Sequence, residues 1–131
     1  MMNQRNKIQR IDCSIYAPVI SRVLIPYCQI ASNAQERAEG YQNHIIVNID
    51  EGILFPFEKI GIYPMHMRNV QMPLLMIWLN GDRVVDKTIA IPSERLFAPK
   101  FPANLCLECH PSLDRFVQKN FCLKVIPYAI T

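Results

Sequence analysis

The five residues Cys106-Leu107-Glu108-Cys109-His110 read C-x-x-C-H, the pattern that attaches a c-type haem. Covalent attachment needs two exposed thiols on one side of the chain and an axial histidine. These residues fall in a short apolar run that reads as a strand, where side chains alternate between faces. Cys106 and Cys109, three apart, then point to opposite faces, which opposes joint attachment to one porphyrin. The expectation is one thiol on each face of the strand, and no haem. Structural zinc wants four Cys or His ligands from two knuckles, and only one C-x-x-C exists, with Cys13, Cys28 and Cys122 isolated. Met65-His66-Met67, with Met72 and Met76 nearby, contains thioethers that suit Cu(I). On a strand, however, Met65 and Met67 share one face as core fillers, while His66 points the other way to the surface or a pocket rim. No cofactor and no metal are expected.

Nucleophilic catalysis needs a thiol or hydroxyl beside a base. Cys109 and His110 are chain neighbours on opposite strand faces and form no direct dyad. Asp50-Glu51 reads as a solvated turn, and no glycine-rich phosphate cradle exists. The polar group that remains is His66, Arg68 and Asn69. Arg68 offers a planar five-donor fork, and Asn69 both donors and an acceptor, which suits a carboxylate or a partner backbone. The competing reading is that Asn69 ties its own loop's backbone, a common habit of Asn, and it is the stronger one.

Ten prolines, four glycines and few helical periods make a mostly β pattern. Strands are expected at residues 11–17 and 22–30, the second demoted by Pro26 to an edge or bulged strand. Asn33 and Glu36 form a capping box for a short helix over 34–39, closed by Gly40. Further strands fall at 44–49, 53–57 (after an Asp50-Glu51-Gly52 turn) and 62–67. Residues 74–79 and 83–91 should form a hairpin through Asn80-Gly81. A proline-punctuated loop over 92–102 follows. The chain then closes with a strand at 105–109, a helix at 112–119 ending at Asn120 in the left-handed region, and a strand at 121–126.

Three segments in this order resemble the family catalogued as domain of unknown function 192. They are ASNAQERAEG over 31–40, EGILFPF over 51–57, and MHMRNVQMPL over 65–74 followed by IWLNGDRVV over 77–85. Leu107-Glu108 and residues 112–125 fit that family's last strand, helix and strand. The resemblance covers residues 22–126. It implies a compact, largely antiparallel domain, α+β and mostly β, drawn as a sheet or partly closed barrel with two short helices. It implies no activity, because the family has none assigned. It puts Cys109 at a core valine-type position, which leaves Cys106 outward or at an edge. The chain departs from the family's pattern in its polar residues: Leu75 stands where the family has an aspartate, Val70 where it has a threonine, and His66 at its second aromatic.

The chain of 131 residues fits one domain, and its apolar half is enough for a core. Residues 1–21 read as an N-terminal segment with a first strand that could act as an arm, and 22–131 as a single β-rich domain. Arg5, Lys7 and Arg10 read as a solvated basic tail. A net charge of +3 is too mild to imply nucleic acid. The first twenty residues do not look like a secretory signal, and the longest apolar run, residues 74–79, is too short for a membrane helix. Five cysteines without a pairing pattern suit reduced thiols in a cytoplasm. The functional expectation is a non-catalytic binding or structural module docking on other protein chains. A component of a larger assembly, such as a virion, would fit. The alternative is a small-ligand or metal-binding accessory protein, or an enzyme, using His66, Arg68 and Asn69.

Overall fold

The computed structural model describes residues 5–128. Its strands are β1 (Cys13–Ala17), β2 (Arg22–Ile30), β3 (Glu51–Gly61), β4 (Met65–His66), β5 (Leu74–Asn80), β6 (Arg83–Ala90), β7 (Leu96–Phe97), β8 (Ala103–Cys109) and β9 (Lys124–Pro127). The one α-helix among the described residues, α1, spans Ala34–Glu39, and 3₁₀ turns cover Pro18–Ile20 and Pro111–Phe116. Seven strands form one sheet in the order β6-β5-β8-β3-β2-β1-β9, and β4 pairs with β7 in a small separate one. The fold is α+β and mostly β, as expected. The large sheet is open rather than partly closed into a barrel, and mixed rather than wholly antiparallel. β2 and β3 run parallel, because α1 and the loop after it return the chain to the same end of the sheet, the crossover a parallel pair needs.

Both faces of the sheet are covered. One carries Cys13, Ile15, Ile25, Leu54, Leu75, Ile77, Leu107 and Cys109 against Leu113, Val117 and Leu123. The other carries Ile53, Phe55, Leu74, Met76, Trp78 and Cys106 against Ala31, Tyr41, Val47, Met67, Val70 and Phe97. This double cover explains why β5 reads as an unbroken apolar run: six of its seven residues are buried. It also corrects the expectation for Cys106. The two thiols do lie on opposite faces, but Cys106 is as fully buried as Cys109, because each face is itself a core.

The capping box forms around α1: Asn33 accepts from the Glu36 amide at 2.8 Å. Glu36 reaches back one residue further than expected, to the Ser32 amide at 2.9 Å. Gly40 closes the helix at φ 48. Pro26 is accommodated by an irregular register with β1 inside the sheet, not at an edge. β5 and β6 form the expected hairpin, but Asn80 pairs with Arg83, so the loop residues are Gly81-Asp82. Gly81 takes the positive φ of 64.

Other expectations shift. Residues 44–49 are not a strand. Asn43 turns the chain at φ 65, and only His44 bridges, to Arg5. The expected turn at Asp50-Glu51-Gly52 gives way to β3, which starts at Glu51. Gly52 is needed inside the strand, since a Cβ there would sit 3.0 Å from the Glu108 carbonyl oxygen. The strand expected over 62–67 shortens to β4. The second helix is the 3₁₀ turn Pro111–Phe116, with Val117 already extended. Asn120 does adopt the left-handed region, at φ 73. Residues around it bond to the hairpin (Asn120 N to Val84 O, 2.8 Å; Leu123 N to Asp82 O, 2.7 Å), so the last strand starts only at Lys124.

The 92–102 loop contains β7, whose Phe97 is buried, and is held to β4. Described residues of the N-terminal segment also pack on the domain; residues 1–4, like 129–131, lie outside the described residues. Ile8 joins the core, and Arg10, though exposed, is tied down rather than a free tail residue. It pairs with Asp12 and Glu36, each at 2.8 Å, and donates to the Ile30 carbonyl at 2.8 Å. No described helix is long and apolar enough to cross a membrane.

Candidate ligand-binding site

β8 lies near the middle of the sheet, between β5 and β3. Alternation puts Cys106 and Glu108 on the same face. The residues opposite Glu108 are Ile53 on β3 and Met76 on β5, both apolar and both buried. The strand therefore delivers a carboxyl group into a hydrophobic layer. Glu108 is 4 % exposed. No cation among the described residues forms an ion pair with it. Burial, the sole cause acting on it, pushes its carboxyl up to about 8, since a charged carboxylate cannot be stabilised there.

Above this carboxyl is a cavity of about 270 Å³. Apolar cavities of about 150 Å³ already hold a benzene ring. Phe55 and Phe57 from β3 form one wall, β4 and Val70 another, and the end of α1 with Gly40 and Tyr41 closes the third. Phe57 is held by stacking on Tyr63, with ring centroids 4.2 Å apart. Gly40 makes the close approach possible: a Cβ there would lie 3.2 Å from Phe55 Cζ and 3.4 Å from Glu108 Oε1.

The polar groups around the cavity are mostly occupied elsewhere. The Tyr41 hydroxyl donates to Glu51 Oε2 at 3.0 Å, and burial, with Glu51 beside it, holds its pKa well above the usual tyrosine range. Glu51 also accepts from Asn48 through its amide and its side chain. Glu39 at the rim is held by Arg5 at 3.4 Å and Gln35 at 3.0 Å. His44, below Tyr41 in an edge-on contact of 4.9 Å, is buried with Nδ1 unbonded. Its pKa falls to about 4 through burial and then the Arg5 charge.

Of the three residues expected to form a polar patch, the structure brings only His66 to the cavity. Its Nδ1 accepts from the Arg68 amide at 3.3 Å, which leaves Nε2 to carry the ring proton. Burial, then Arg68, lowers its pKa. The Arg68 side chain is exposed and does not line the cavity. Asn69 sits at φ 60 and ties the loop at residues 42–43 rather than its own backbone: its carbonyl accepts from the Asn43 amide at 3.1 Å, and its side chain donates to the Gln42 side chain at 3.4 Å. Sequence reasoning missed Glu108, although one signal was present: a lone carboxylate in a strand that is otherwise apolar around it. The Cys106 and Cys109 thiols on either side are pushed well up by burial. Among the described residues no three His, Cys, Asp or Glu side chains cluster as a metal site would need.

The sequence profile of the DUF192 family, described as an uncharacterized ACR, matches residues 21–113. No curated protein matches the chain. Two solved structures are similar. One is a protein of Sinorhizobium meliloti described as a proposed transcription regulator, at TM-score 0.76 and 18 % identity over 95 % of this chain and 97 % of that one. The other is a protein of unknown function from Novosphingobium aromaticivorans, at TM-score 0.74 and 18 % identity over 86 % and 83 %. At that identity they carry the fold alone.

Proposed function

Since the chain belongs to the DUF192 family, for which no activity is described, we propose from its own geometry that it is a non-catalytic binding domain whose cavity over Glu108 takes a small ligand. One observation carries this reading. A carboxyl group without an ion-pair partner is kept in an apolar layer, and its side chain opens onto a preformed space walled by aromatic rings. Burying such a group costs stability, and concave apolar sites with a few placed polar groups are where small molecules bind. The non-catalytic part is supported by the neighbours. The nearby thiols are held in their neutral form, and His66 Nδ1 already accepts a backbone bond.

The test is a fragment panel screened by NMR on the full chain. Shifts concentrated at Gly40, Tyr41, Met65 and His66 are expected. Binding scattered over the surface, or none, contradicts the reading.

A second reading, docking on partner chains, is favoured by a surface groove of about 950 Å³ beside the edge strand β6. Exposed Ile60 and Phe101 line it with Val85 and Pro102, and adjoining exposed apolar side chains often mark interaction surfaces. Phe101→Ser should then lower the sedimentation coefficient of any complex the protein forms. An unchanged coefficient removes this reading.

A further inference from the structure

We propose, resting on the ligand-binding reading, that the cavity recognises the edge of an uncharged amide: a small flat molecule whose adjacent N–H and C=O pair with the protonated side chain of Glu108. A neutral carboxyl presents one O–H donor and one C=O acceptor side by side. The group that satisfies both at once is an N–H beside a C=O, as in a carboxamide, a lactam or an imide. The protonated form follows from placement. Glu108 lies between Ile53 and Met76, with no cation paired to it among the described residues, and leaving an unpaired carboxylate there is far costlier than leaving an acid.

The surroundings select against charged ligands. Besides Glu108, the ionisable groups facing this space are Arg37 and Glu39 from the α1 end, Tyr41, and His66 from β4. Glu39 is already held by Arg5, Tyr41 by Glu51, and burial favours the uncharged ring of His66. An ammonium ligand would have to ionise Glu108 and pass Arg37. A carboxylate ligand paired with Glu108 would lie away from the one cation lining the space, the exposed Arg37, since no positive charge acts on Glu108 itself. A planar apolar body, by contrast, fits against Phe55 and Phe57, and the volume exceeds what a single ring needs.

The experiment titrates benzamide, benzylamine and benzoate into the full chain labelled at its methionine methyl groups, at pH 6.5 and pH 9.5. Met65 lines the cavity and Met76 faces Glu108. Benzamide should move these methyls and bind most tightly of the three. Its affinity should drop about tenfold or more at pH 9.5, where Glu108 loses its proton. Glu108→Gln, of the same shape, should retain benzamide at both pH values and lose the pH dependence. Tighter binding of benzylamine or benzoate at the same methyls overturns the amide assignment while leaving the ligand site in place. A benzamide affinity that is independent of pH in the wild type overturns it too. No response to any of the three overturns both the assignment and the ligand site.

Discussion

A carboxylic acid held neutral at Glu108 has a thermodynamic signature. Its pKa in the fold is about 8 against an ordinary 4.5, so the folded state holds a proton that the unfolded state has released. The stability it allows is complete below about pH 4.5 and declines as pH rises toward 8, because the unfolded chain ionises more easily. Thermal or urea unfolding between pH 5 and 9 should show the wild type losing roughly 4 kcal/mol that Glu108→Gln keeps. His44 has the opposite sign. Its pKa is lowered to about 4, so its contribution is complete above 6.5 and lost as pH falls toward 4. Histidine NMR should find the His44 ring still neutral at pH 5.5, and His44→Phe should flatten the acid limb of the stability curve. Little of this was legible in the sequence. In the CLECH stretch the cysteines and the histidine carry the recognisable pattern, and the glutamate between them reads as the solvent side of a strand. Only the second cover over the sheet turns that side into a cavity, and the residues supplying it lie dozens of positions away.

At the scale of elements, α1 was readable because its signals are local. Asn33, Glu36 and Gly40 act within about two turns of chain, and the structure uses all three. Asn33→Ala should cost about 1 kcal/mol in chemical denaturation through the lost cap. Glu36 is drawn down to about 2 by Arg10 first and by Ser32. The contact of the N-terminal segment with α1 should therefore hold above pH 4.5 and be lost only as pH falls toward 2, as amide exchange around Ser32 would report. Gly40→Ala places a methyl against Phe55 and Glu108 at positive φ. It should destabilise by roughly 1–2 kcal/mol and reduce any ligand binding in the cavity. The hairpin was also legible, with its loop displaced by one residue. The strand expected at 44–49 was not, because Ile45, Ile46 and Ile49 mimic a strand in composition yet are exposed, and the backbone there is spent on turns and on Glu51.

For the whole molecule, the mostly β class followed from composition, and the family resemblance from ordered motifs. The open, mixed sheet did not follow. Parallel pairing of β2 with β3 depends on where α1 lands, and strand order depends on contacts far apart in sequence. Leu107, fully buried at the centre of the sheet, should report on the integrity of the whole: Leu107→Ala should cost roughly 2–5 kcal/mol without splitting the unfolding transition, since both layers share β8. All of these effects converge on a fold that keeps a buried acid beside a cavity. The most direct test is a ¹³C carboxyl NMR titration of Glu108 in the intact chain. A midpoint near pH 8 that falls outside the range of the other carboxylates supports the account. A midpoint near 4.5 would mean the carboxyl is solvated and charged at neutral pH, and the neutral acid over which the site is built would not exist.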